Sequence, residues 1–171
     1  NQLQQLDELP VPTLALNYVD ESNSSSPNLT QFGLAPEDEI EQAVDLAWQA
    51  GHRNAAIIIP QSNDYQRLQQ AFANSWAGRG GNLVSQSTFS GNNDYADVIK
   101  RLMAIDSSEL RRDRIVQLLP RTSVEFTPRR RGDIDFIFLI ANPREGRQIK
   151  PTLAFYFAGD IPVYALPSIY D

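Results

Sequence analysis

Five consecutive apolar residues, Ala55, Ala56, Ile57, Ile58 and Ile59, constrain this chain more than any other stretch. A strand with one wet face alternates apolar and polar side chains. A continuous run needs cover on both faces, as in a parallel sheet flanked by helices. Pro60 follows and stops the strand. Asn63 is placed to cap a helix, with Gln66 three residues on to complete a capping box. Tyr65, Leu68, Phe72 and Trp76 then recur at helical spacing and mark one buried face. Gly78, Gly80 and Gly81 end that helix. Leu83–Phe89 begins directly afterwards as a second strand. The unit is βαβ, and its crossover is expected to be right-handed.

The rest of the chain repeats the alternation. Leu3–Leu9 reads as the end of a helix, Val11–Tyr18 as a short strand and Asp20–Gln31 as an exposed, Ser-rich connection containing Pro27. The triplets that begin at Asn23 and Asn28 have the glycosylation pattern, and we read them as chance. Pro36–Ala50 is a helix with Pro36 in its first turn, Glu37, Asp38 and Glu39 at the positive dipole end, and Gly51 at C′. Its apolar face is Ile40, Ala43, Val44 and Ala47. Asn92–Met103 is a further helix, buried along Tyr95, Val98, Ile99 and Leu102. Asp106 with Glu109 opens another, running to about Leu119, with Arg111, Arg112 and Arg114 facing solvent. Pro120–Arg131 is a loop ending in three arginines. Ile134–Ala141 is a second fully buried strand, and Asn142, Pro143 and Glu145 cap the helix that follows. Pro151 lies inside that helix and predicts a kink or break. Ile161–Leu166 is the last strand.

Strands near Ile57, Val84, Phe136 and Val163 therefore alternate with helices. The fold class is α/β, a three-layer parallel sheet with helices on both faces. The Ile57 strand is expected between those of Val84 and Phe136.

Composition narrows the function. At 171 residues the chain is long enough for one domain with a core. A net charge of −6 argues against nucleic acid as a partner. No apolar run approaches the ~20 residues of a membrane span, and the polar opening NQLQQLDELP is no signal peptide. There is no cysteine, which excludes disulfides, thiolate metal sites and cysteine nucleophiles. The single histidine, His52, follows Gly51 at a helix end and reads as solvated, neither catalytic nor metal-bound. Gly78–Gly81 follows a helix and is no dinucleotide fingerprint. No Ser–His–Asp arrangement is supportable, and Asp133 with Asp135 lacks a partner acid or base. No catalytic residue, metal site or cofactor is expected.

The segments Ala35–Glu39, Ile58–Pro60, Arg129–Arg131 with Asp133–Asn142, Arg147–Thr152 and Ile161–Tyr164 occur in an order that resembles the type I periplasmic-binding-protein fold, second lobe. Within it the chain is most similar to the LppC family of lipoproteins, from Val11 to Ile169. The resemblance implies that residues 1–31 end the first lobe and cross over, and that residues 32–171 form a second-lobe domain, a fragment of a two-lobed whole. It also implies a non-catalytic lipoprotein on the periplasmic side of the outer membrane. Such a protein activates a bifunctional class A penicillin-binding protein, the peptidoglycan synthase. Peptidoglycan fragments are a further partner it allows. Membrane attachment would run only through a lipid anchor outside this stretch, since no lipobox cysteine is present.

Ligands of open α/β sheets bind at the carboxyl ends of the strands. Here those loops are Gln61–Tyr65, Ser90–Asn93, Asn142–Arg144 and Pro167–Tyr170. Ser62, Asn63, Asp64, Tyr65, Asn142, Arg144, Ser168 and Tyr170 are the candidate cleft residues. Helix capping already accounts for Asn63 and Asn142. The alternative function, a periplasmic solute-binding or sensing lobe for an amino acid or similar small molecule, rests on these loops. Arg129, Arg130 and Arg131 are the candidate partner-binding residues; the plainer reading is a solvated loop.

Overall fold

Strand β3, Asn54–Pro60, lies at the centre of a four-stranded parallel sheet. Its neighbours are β4, Asn82–Phe89, on one side and β5, Phe136–Leu139, on the other; β6, Val163–Ala165, lies beyond β5. Ile57 is in register with Gln86 and with Phe138, and Ile137 with Val163. The expected strand order is therefore the observed one. These features come from a computed structural model that describes residues 11–15, 28–31, 35–91, 94–119 and 125–170. The Leu3–Leu9 helix end, the Asn23 triplet, Pro27 and the Asn92–Asn93 helix start lie outside those residues.

Side chains of β3 alternate between two cores. Ala55, Ile57 and Ile59 join Phe136, Phe138 and Ile140 against α1, Pro36–Gln49, and α2, Asn63–Gly78. Ala56 and Ile58 join Ile137 and Leu139 on the opposite face. There they pack against α3, Tyr95–Leu102, and α5, Pro143–Phe155. Both faces are covered by helices, so the unbroken apolar run is satisfied.

Helix α2 buries Phe72 and Trp76 fully, while Tyr65 and Leu68 at its start are only partly covered. Phe72 stacks on Phe138 at 4.3 Å between centroids, and Trp76 meets Phe136 edge-on at 5.0 Å. The indole Nε1 of Trp76 donates to the Asn82 carbonyl at 3.1 Å, tying the helix end to the start of β4. Gly81 permits this approach, because a Cβ there would lie 2.2 Å from the Trp76 ring. Gly51 sits at φ +89°, the left-handed C′ position expected after α1.

Several expectations need correction. Asn63 is the first helical residue of α2, so the cap position falls on Ser62. Asp106 and Glu109 form no capping box. Helix α4, Ile105–Leu118, starts after Ala104 in the left-handed region, and Glu109 pairs with Lys100 Nζ at 3.3 Å. Pro151 does not break α5, which runs on to Phe155 because Ile149 and Leu153 are buried on either side of it. The end of the Ser-rich connection is a strand: β2, Leu29–Gln31, pairs in parallel with β1, Thr13–Ala15. The hydrogen-bonded part of β5 is shorter than Ile134–Ala141, although burial extends through Ala141. His52 is half-buried, its ring 5.4 Å from Phe136 and 6.0 Å from Tyr164. It packs because the Gly51 turn directs the chain across the amino ends of the strands.

Two substitutions test this core by chemical denaturation. Phe72→Ala is expected to cost about 3–5 kcal/mol. Gly81→Ala is expected to cost about 1–3 kcal/mol through displacement of the Trp76 ring. A loss below about 1 kcal/mol in both would refute the assigned face of α2.

Candidate functional site

The carboxyl ends of β3, β5 and β6 open onto a hollow of about 340 Å³. Tyr65 and Leu68 of α2, Asn142 after β5 and Ser168 after β6 line it, with Pro36 and Glu39 of α1 opposite. A second hollow of about 560 Å³ adjoins it and shares Pro36, Tyr65 and Leu68, adding Asn63 and Arg67. The fold thus brings Asn63, Tyr65, Asn142 and Ser168 of the candidate cleft residues to one end of the sheet. Tyr170 goes elsewhere: it lines a groove of about 550 Å³ between α5 and β6, with Arg147, Lys150 and Val163. Arg144 is exposed and near Tyr95, and the Asp64 side chain lies outside the described part.

Local hydrogen bonding occupies much of the polar equipment. Asn142 Oδ1 accepts from the Glu145 backbone N–H at 2.9 Å, and the Asn142 N–H donates to Glu145 Oε2 at 2.9 Å. This reciprocal capping box opens α5. At the end of β4, Asp94 Oδ2 accepts from Ser90 N–H at 2.8 Å and from Ser90 Oγ at 3.0 Å. Burial pushes the Asp94 carboxyl up, and the Ser90 hydrogen bonds outweigh it, leaving a net lowering. Burial, with Glu145 and Asp94 nearby, pushes the Tyr95 phenol up. Both carboxylates serve loop and helix ends rather than an acid–base pair. Among the described residues no group of three or more His, Cys, Asp and Glu gathers where it would hold a metal.

The arginine run has a structural role that the sequence did not disclose. Arg130 binds Asp160 through two hydrogen bonds of 2.7 and 2.6 Å. Arg131 binds Asp133 in the same way, at 2.6 and 2.7 Å. The guanidinium partners hold the Asp133 and Asp160 carboxyls below their ordinary values. Both pairs therefore act above the usual carboxylate range and weaken as pH falls through the lowered values. Arg129 is exposed, and among the described residues its backbone alone is tied down, donating to Ser108 Oγ at 3.3 Å. Asp135 sits at a strand entrance near a helix end: its Oδ2 accepts from the Arg53 and Asn54 N–H groups, each at 2.8 Å, at the start of β3.

These features define a class. A parallel α/β lobe whose strand-end loops shape one wall of a cleft is the architecture of type I periplasmic binding proteins. An ABC-transporter solute-binding protein from R. palustris, solved with 4-hydroxybenzoate, shares it at a TM-score of 0.59. The two are 15% identical over 94% of this chain and 38% of that one, a likeness of fold alone. The family is narrower. The chain belongs to the LppC lipoproteins, whose family model matches residues 1–170. A penicillin-binding protein activator, LpoA of Edwardsiella piscicida, is 32% identical over 90% of this chain and 24% of its own length. The crystal structure of full-length LpoA from Haemophilus influenzae matches with a TM-score of 0.57 and 25% identity, over 91% of this chain and 23% of that one. The chain thus spans about a quarter of the length of the relatives it matches. No helix among the described residues is long and apolar enough to cross a membrane.

Asn142→Ala removes one arm of the capping box and is expected to lower stability by about 0.5–2 kcal/mol. Thermal melts of this variant beside Ser168→Ala, which is exposed, separate capping from general sensitivity of the cleft. Equal melting of both variants and the unsubstituted protein would refute the cap.

Proposed function

We propose that this chain is part of a non-catalytic lipoprotein facing the periplasm from the outer membrane, which binds and activates a bifunctional class A penicillin-binding protein. One observation carries the reading. Relatives called penicillin-binding protein activators are 30% and 32% identical to it over 86% and 90% of its length. The site chemistry supports the same reading, because the carboxylates at the strand ends cap and brace loops. Solute-binding proteins share only the fold, so the small-molecule alternative gains no support from them. Part of the partner surface is proposed at Arg129–Arg131, with Arg129 as the member whose guanidinium is not ion-paired among the described residues.

Glycan-strand synthesis by a purified class A synthase, measured with and without the full protein carrying this chain, tests the proposal. The expected outcome is a saturable rise in synthesis rate. An unchanged rate at every ratio overturns it. Melting curves with amino acids and muropeptides test the small-molecule alternative. A concentration-dependent rise in melting temperature of RT ln(1 + [L]/Kd) form would favour it.

A further inference from the structure

Helix α4 stands apart from the other helices of the lobe. Of its residues only Ile105 and Ser108, both near its start, are buried. Leu110 and Leu118 are 60% and 79% exposed, and Ile115 is 46% exposed. At 3.6 residues per turn, Leu110, Arg111, Arg114, Ile115 and Leu118 fall within an arc of about 140°. That arc contains no carboxylate. Glu109 and Asp113 lie outside it, where Glu109 pairs with Lys100 and Asp113 with Arg112, and Asp106 lies at its edge, one turn before Leu110. No acidic side chain among the described residues pairs with Arg111 or Arg114.

A second segment is aligned beside this arc. The chain from Phe126 to Arg131 runs antiparallel to the first half of α4. The Arg131 N–H donates to the Met103 carbonyl at 2.9 Å, and the Arg129 N–H to Ser108 Oγ at 3.3 Å. Farther along, the Arg112 guanidinium lies 5.1 Å above the Phe126 ring. Arg130 and Arg131 fix this strap through Asp160 and Asp133, and Arg129 is left exposed next to Ser108. Arginines far apart in sequence thus converge on one apolar, basic ridge, in a chain of net charge −6.

We propose that this ridge is the docking surface for the synthase, and that it meets an acidic patch on the synthase ectodomain with an apolar centre. The inference rests on the synthase reading and deepens it. Charge complementarity selects the occupant's chemistry: carboxylates opposite Arg111, Arg114 and Arg129 match their charge, and Leu110, Ile115 and Leu118 supply apolar contact between those charges. An exposed apolar patch bordered by charged side chains has the layout of an interface with a polar rim. Outlying charges of this kind act mainly on association rate, and the apolar anchors on dissociation.

The test uses the full protein and measures binding to the synthase ectodomain by surface plasmon resonance at low and high salt. Arg111→Glu with Arg114→Glu is expected to slow association about tenfold at low salt, an effect that shrinks as salt screens exposed charge beyond about 3 Å at 1 M. Leu118→Ser is expected to raise the dissociation rate several-fold at both salt concentrations. Melting temperatures are expected to stay unchanged, because these side chains are exposed. If the Glu pair lowers melting, Arg111→Gln with Arg114→Gln reads the same rate. Unchanged rates for every variant, with the unsubstituted protein binding, overturn the ridge and leave the synthase reading standing. No binding by the unsubstituted protein overturns both. Loss of binding to vesicles of anionic phospholipid, with synthase rates unaltered, assigns the ridge to a membrane surface and also overturns the proposal.

Discussion

Burial of β3 on both faces is the constraint on which the rest of the lobe depends. Ile57 and Ile58 point in opposite directions, and each needs its own layer of helices. The α1–α2 layer supplies one and the α3–α5 layer the other. Phe136 and Phe138 of the adjacent strand then determine what the first layer must contain. They demand flat aromatic partners, which Phe72 and Trp76 provide. Trp76 in turn demands a residue without a side chain at position 81. One strand thus sets a series of requirements that passes through two helices and a turn.

The parallel sheet also decides where chemistry can occur. All four strands end on the same side, so their loops meet there. Tyr65, Asn142 and Ser168 are far apart in sequence and share one hollow for that reason. The polar atoms at this end largely serve the chain itself. Asn142 and Glu145 close a helix, and Ser90 and Asp94 close a loop. A lobe of this kind can keep the geometry of a binding fold while its edges act as protein surface.

Ion pairs on the surface follow a similar division. Arg79 bridges α1 and α2 through Asp45 and Glu41, and Arg130 ties the strap after α4 to the turn at Asp160. Such exposed pairs contribute little stability individually. The Arg130–Asp160 and Arg131–Asp133 pairs act by position, since they hold the segment from which Arg129 projects. The basic ridge therefore depends on arginines that are themselves neutralised.

Sequence alone determined the layers, the strand order, both ends of α1 and the start of α5. Continuous apolar runs, Pro at a first turn, Gly after a last one and the Asn–Pro–x–Glu spacing are local signals, read within a few residues of where they act. Only tertiary structure decided the roles of His52 and the three arginines. His52 looked solvated because its cover, Phe136 and Tyr164, lies more than eighty residues away in the chain. Asp106 looked like a cap, but the left-handed Ala104 turn sets where α4 starts. Arg130 and Arg131 looked alike as charges, yet one finds a carboxylate thirty residues on and the other finds one two residues on. A side chain whose partner is distant in sequence carries no local signal of that partner. The hydrogen-bond acceptors and aromatic faces that define its role come into reach only when the sheet brings them together.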